Sequence, residues 1–190
     1  PIFLNVLPTL KSNNTWKVSQ ATQTGNDWKT INFDDSQWDF ALDNFNPNPC
    51  FAGGGKQIWY NQLISQAFFR KKFYISYIPS PAIVKFNIDG GSNVYINGQL
   101  VYSDGNCSVK TSNDIDITNF LTVGENIISV YIDDFNCGQS SYFCMKSNIP
   151  NSSCNASIAS VSSNSPIPIN STAVLTASGC SGTYRWYNQA

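Results

Sequence analysis

The chain has 190 residues, of which 42% are hydrophobic and 14% aromatic, enough to bury a sizeable core in one domain or one and a part. Eleven Lys and Arg nearly balance twelve Asp and Glu, and only 12% of residues are charged, so the footprint that nucleic acid or an anionic membrane surface requires is missing. There is no histidine, which excludes Ser-His-Asp and Cys-His catalytic arrangements within the chain.

In chain order, the first strand-like run is 31–33, followed by a loop over 44–55 rich in Asn, Pro and Gly. Residues 68–77 form the next extended run, and the Pro-bearing segment 77–81 is a loop. In 82–89 every second side chain is aliphatic or aromatic, the period of a strand with one face in a core. Asp89-Gly90-Gly91 makes a tight turn, and it is no phosphate loop, because the Lys-Ser/Thr ending and the following helix are both missing. Runs 92–96 and 99–103 flank Asn97-Gly98, a strong hairpin cue, since a type I′ turn requires positive φ at both central residues.

Residues 116–121 suit one turn of helix, capped by Asp116 or Thr118 and ended by Gly124. Strands over 126–133 and 141–147 complete the set, and amphipathic helical spacing is nearly absent. After Ser147 the composition changes. Residues 148–153 hold nothing to bury and read as a linker, and 157–162, 172–177 and 183–187 alternate as strands of a second module. The fold class is all-β, with a β-sandwich over residues 1–147, a linker over 148–153 and a partial module over 154–190.

No run approaches the ~18 apolar residues of a membrane helix. The start at Pro1, without an initiator Met or signal peptide, is that expected of a mature or excised piece. Six cysteines form no CxxC pair, so zinc would need thiolates alone at unhelpful spacings, and disulfides in an exported, oxidising setting are the better expectation.

The order Phe69-Arg70-Lys71-Lys72-Phe73, Asp89-Gly90-Gly91, Val94-Tyr95-Ile96-Asn97-Gly98, Asp116-Ile117-Thr118 and Gly124-Glu125-Asn126 resembles the galactose-binding-like jelly roll. Upstream, Phe33-Asp34-Asp35-Ser36-Gln37-Trp38 is similar to that family's usual opening, and the resemblance covers roughly residues 14–148. Such domains accompany glycoside hydrolases and bacterial surface proteins, so the resemblance implies a carbohydrate-binding fold without naming a ligand. It also suggests a structural calcium and a structural role for Arg70, paired with a carboxylate on a neighbouring strand. The segment 175–183 followed by Trp186 looks like the start of an immunoglobulin-like repeat of Bacteroidetes surface proteins, including adhesins. In that module a Cys154–Cys180 bridge would tie the first strand to the third, while for Cys50, Cys107, Cys137 and Cys144 three connectivities remain open.

Sugar recognition needs an exposed ring flanked by hydrogen-bonding groups. Trp59 and Tyr60, after a run of three glycines, are candidate stacking rings; the alternative is that both begin a strand and fill the core. Trp28 and Trp38 resemble packing residues of the family. Asp104, Asn106, Asp134 and Asn136, in loops 103–107 and 133–139, are candidate hydrogen-bonding or calcium ligands, against the alternative of solvated turns. Asp34-Asp35 and Asp133-Asp134 are adjacent pairs whose side chains on strands would point to opposite faces, so neither makes the acid–base pair of a glycosidase.

The expectation is therefore a non-catalytic carbohydrate-binding or adhesive module of a secreted or surface-attached bacterial protein. Its partners would be neutral glycans or glycoproteins and neighbouring domains of the same polypeptide, with no nucleic acid and no membrane span. The other readings are a structural or protein-interaction spacer, and an accessory domain of a glycoside hydrolase.

Overall fold

The computed structural model describes residues 9–43, 50–52, 54–60, 66–106, 108–133 and 141–150, together with the backbone of 160–163 and 175–178. The chain divides into two compact units, Pro1–Ser152 and Ser153–Ala190. The first is an all-β sandwich, as the alternation implies.

Its larger sheet has six strands in the order β2-β1-β3-β9-β5-β6: β1 (Lys17–Ser19), β2 (Asp39–Phe40), β3 (Gln66–Ile75), β5 (Gly91–Ile96), β6 (Gln99–Asp104) and β9 (Gly124–Asp133). The smaller sheet has β4 (Ile83–Asp89) between β10 (Tyr142–Ser147) on one side and the two short strands β7 (Lys110–Thr111) and β8 (Ile115–Asp116) on the other. On one lateral side the sheets are joined: Leu42 and Trp59 exchange backbone hydrogen bonds of 2.8 and 3.0 Å, and Ile58 and Phe143 exchange bonds of 2.9 and 3.0 Å. Polar backbone on that side is thus paired instead of exposed.

Alternation sets the layers. Val84, Phe86 and Ile88 of β4 face Val94 and Ile96 of β5 and Ile128, Val130 and Ile132 of β9 across a closed core. Phe143 is its hub, with ring centroids 5.0 Å from Trp16, 5.9 Å from Phe69 and 6.1 Å from Phe86, so aromatic packing ties the two sheets together. Burying each such ring contributes about 1.5–3 kcal/mol from area alone, with a further ~0.5–1.5 kcal/mol for each well-placed ring pair.

The Asn97-Gly98 hairpin is as expected, with φ of 49° and 85°. Its amide is also structural: Asn97 Nδ2 donates to Phe120 O (2.9 Å) and Asn126 Oδ1 (2.8 Å), and Asn97 Oδ1 accepts from Ile127 N (2.9 Å). Asn126, fully buried, also accepts from Thr122 N and donates to Thr122 O (2.7 Å) and Gly124 O (3.1 Å). Two amides with every group paired therefore lock the turn to the start of β9. The turn in Asp89-Gly90-Gly91 uses Gly90 at φ 110°, where an added Cβ would lie 3.0 Å from Ile132 Cγ2.

Several expectations need correction. Residues 31–33 form no strand; they belong to a strap that runs from the end of β1 to β2 and carries a single 3-10 turn, Asp27–Lys29. The helical turn is also 3-10 and shorter than expected, Thr118–Phe120, with Asp116 Oδ1 accepting from Thr118 N (2.9 Å) and Oγ1 (2.5 Å); Gly124, at φ 108°, opens β9. The linker does not begin at Asn148. Ile149 is fully buried, Leu10 N donates to its carbonyl (2.8 Å), and the Asn148 amide holds Ile83 N (2.7 Å) and Pro81 O (2.9 Å), so 148–150 are packed into the sandwich.

In the second unit, β11 (Ser160–Ser163) pairs antiparallel with β12 (Leu175–Ser178). Cys154, Cys180 and Trp186, and with them the expected Cys154–Cys180 bridge, lie outside the described residues. Cys50 is bonded to Cys144 across 94 residues, which rules out its pairing with Cys107 or Cys137, both outside the described residues. Among the described residues no helix is long and apolar enough to cross a membrane.

Candidate functional site

Arg70 shows how the larger sheet's outer face is closed. It is fully buried on β3, opposite Ser129 of β9, and every acceptor it finds lies in the strap. Nε donates to Asp35 Oδ2 (2.8 Å), Nη1 to Trp28 O and Thr30 O, and Nη2 to Thr30 O (3.1 Å) and Phe33 O (3.4 Å). The guanidinium carbon lies 4.9 Å from the Phe33 ring centroid and 5.9 Å from that of Trp38. The arginine is structural, as the resemblance implies, but its carboxylate comes from the strap instead of a neighbouring strand. Trp28 seals the rest of this face, edge-on to Phe68 (5.1 Å) and Tyr95 (5.8 Å).

The register places several loop residues at one end of the sandwich. Gly91 pairs with Asp133, Ser92 with Asp104 and Asp89 with Tyr142, so the turns after β4, β6 and β9 leave from the same end. Ile58 pairs with Phe143 in antiparallel sense, which carries Trp59 and Tyr60 toward that end as well.

Trp59 is not an open platform. It is 3% exposed, bridged to Leu42, and its ring lies 5.7 Å from Phe69, so it fills the core as the alternative had it. Asp104 is equally committed. Its Oδ1 accepts from Asn106 N (3.1 Å) and Nδ2 (2.8 Å), and its Oδ2 lies 3.4 Å from the Tyr102 hydroxyl and 3.0 Å from Lys110 Nζ. Burial by itself would raise the Asp104 pKa, but the hydrogen bonds and charge of Lys110 and the Asn106 donors together hold it below the ordinary carboxylate value of 3.8. Asn106 is exposed, with its amide turned back on Asp104, so this pair builds a turn. Asp134 and Asn136 lie outside the described residues. Among the described residues no three His, Cys, Asp or Glu side chains converge as metal ligands.

Tyr60 is different. Half-buried, it hydrogen-bonds Asp39, and this bond, followed by the carboxylate's charge, raises the phenol pKa above 10.0. Asp39 and Phe40 make up β2, and the Phe40 ring is 60% exposed. Its cross-strand neighbour Lys17 places Nζ 4.2 Å from the ring centroid and donates to Trp38 O (2.8 Å). The open Phe40 ring thus stands with the Lys17 ammonium on the outer face of the sheet, whereas Asp39, its neighbour on the strand, points to the opposite face together with Tyr60. Sequence reasoning named Tyr60 but missed Phe40 and Asp39, because a two-residue edge strand carries no alternation. The one available signal was an aromatic beside a carboxylate immediately after Trp38.

No family model matches the chain, and no curated protein matches it. Solved structures are similar to it over part of its length. A glycosyl hydrolase family 2 member from Bacteroides cellulosilyticus DSM 14838 is 15% identical over 70% of this chain, with a TM-score of 0.47. A β-glycosidase from Bacteroides vulgatus is 17% identical over 70%, also at 0.47. The chain spans 19% of the length of each of these two.

Proposed function

We propose that the first unit is a non-catalytic carbohydrate-binding module of an exported protein, which holds neutral glycans at the β2 edge. The observation that carries this reading is the Phe40 ring, open to solvent with the Lys17 ammonium beside it. A pyranose would lay its C–H face on Phe40 and accept a hydrogen bond from Lys17. One ring and one ammonium support binding no tighter than the millimolar range, about −4 kcal/mol, so function would depend on several copies acting together in a longer polypeptide. The Cys50–Cys144 bridge is in keeping with an oxidising compartment. Asp134 and Asn136 as ligand contacts, and a structural calcium, remain part of the proposal.

The test is a titration of neutral oligosaccharides, with calcium present, against the native chain and Phe40→Ala. Expected are saturable shifts with at least one neutral sugar, weakened about tenfold or more in the variant, the size of a lost stacking contact. Absence of binding to every neutral sugar, or equal binding by Phe40→Ala, overturns the assignment.

A second reading, in which the sandwich spaces or docks neighbouring modules, draws support from two of the site residues expected from sequence. Trp59 is sealed in the core and Asp104 is fully engaged by its own loop.

A further inference from the structure

A second feature lies on the outer face of the smaller sheet, away from the β2 edge. Lys85 of β4 and Lys146 of β10 stand directly opposite each other in register. Because Val84, Phe86, Phe143 and Met145 point into the core, both lysines stand on the outer face. With Ile83, Asp114, Ser147 and Asn148 they line a depression of about 260 Å³.

The polar groups around it sort into two kinds. Ser147 Oγ donates to Leu10 O (2.6 Å) and accepts from Ile149 N (3.2 Å), and the Asn148 amide is held by Ile83 and Pro81, so these serve the backbone. The lysines and Asp114 do not. Lys85 Nζ lies 3.4 Å from Asp114 Oδ1, with side chains 28% and 66% exposed, and Lys146 Nζ stands 5.2 Å from the Phe51 ring centroid. Two ammonium groups against one carboxylate leave the depression one positive charge in excess, and like charges directly opposite on paired strands repel. An anion lying between the two ammoniums would relieve that repulsion and form charge-assisted hydrogen bonds to both.

We propose that this depression binds the carboxylate of a uronic acid residue in an acidic polysaccharide. Lysines act as point charges that take a carboxylate or a phosphate alike, so it is the apolar wall of the depression that favours an acid carried on a sugar ring. Ile83 supplies an apolar wall for the C–H face of a sugar ring. The volume lies just under the ~300–1,000 Å³ of drug-sized pockets, which suits a single acidic residue rather than a long segment. Asp114 competes with the ligand carboxylate for Lys85 and so limits affinity. This inference does not rest on the Phe40 site, which lies on the β2 edge of the other sheet.

The experiment is an NMR titration of the full chain with tetragalacturonate, with its fully methyl-esterified form, and with inorganic phosphate. The acid should bind with a Kd on the order of 1 mM, and the ester at least about tenfold more weakly, since it lacks the charge. Lys85→Gln with Lys146→Gln should remove the preference for acid over ester, and Asp114→Asn should strengthen acid binding several-fold. Raising salt should weaken it, and Phe40→Ala should leave it unchanged. Equal binding of acid and ester overturns the proposal. So do an unaltered double lysine variant, phosphate binding as tight as that of the acid, and loss of acid binding in Phe40→Ala.

Discussion

The two sheets treat their outer faces in opposite ways. On the larger sheet a strap of irregular chain lies over β3 and β9, and its carbonyls converge on the buried Arg70, so nearly every polar atom there is engaged in holding chain to sheet. On the smaller sheet the outer face is pinned through Cys50 and Cys144, while Lys85 and Lys146 stand opposite each other with one exposed carboxylate beside them. A ligand is thus easiest to host where polar groups are not already consumed by the fold. A charged residue's meaning depends on that balance more than on its type, since Arg70 and Lys85 both sit mid-strand on an outer face and serve opposite ends.

The sharpest way to break this comparison is Arg70→Met. If the strap is held by the guanidinium, removing it leaves the Phe33 carbonyl and the Asp35 carboxylate without that donor and the Trp28 and Thr30 carbonyls with only long contacts to Ser129 Oγ (3.5 Å) and Phe33 N (3.4 Å), and stability should fall by about 3–5 kcal/mol. Urea unfolding of the variant measures this, and loss of the Trp28 environment by near-UV circular dichroism locates it in the strap. A loss under ~1 kcal/mol would mean that Trp28 packing, not Arg70, closes that face. Asn126→Ala tests the same logic at the opposite end of the larger sheet from Asp104. It removes one of the two acceptors of Asn97 Nδ2 and the partners of Thr122 N and the Thr122 carbonyl, and should cost about 2–3 kcal/mol, with faster hydrogen exchange in the Asn97-Gly98 hairpin.

Much of this was legible in the sequence wherever strands are long. Residues 82–89 and 126–133 were readable because sustained alternation matches a half-buried strand and no helical period, and 68–77 as an aromatic, β-prone run; β4, β9 and β3 follow them closely. The short strands β1, β2, β7 and β8 were invisible, since two or three residues hold no period. The strap was misread for a related reason: Ile31 and Phe33 are apolar because they cover a sheet face, not because they extend one. Trp59 shows the limit for sites. Glycines before a tryptophan announce close packing of backbone, and Gly55 indeed has Ser12 and Met145 where a Cβ would sit, but sequence does not say whether the close neighbour is a ligand or another strand. Phe40 became visible only when the edge position of β2 was known.

The smallest expected effect concerns pH, and it separates loops built by their own polar groups from surfaces left free for ligand. Asp104 has a folded pKa below 3.8, so its contribution to stability is complete above that value and is lost as pH falls through the lower folded value. Asp34 and Asp116, held low chiefly by hydrogen bonds from Ser36 and Thr118, titrate in the same window and form the background. Between about pH 5 and pH 2 the native chain should therefore lose stability more steeply than Asp104→Asn, and amide signals of 104–106 and Lys110 should shift together as the Lys110 contact opens. At the depression around Lys85, acid binding should fade as the ligand's own carboxylate is protonated, without involving the 104–110 loop. Coincident loss of binding and of the 104–110 signals would show that the two surfaces are one cooperative unit, and that the division between engaged and free polar groups does not hold.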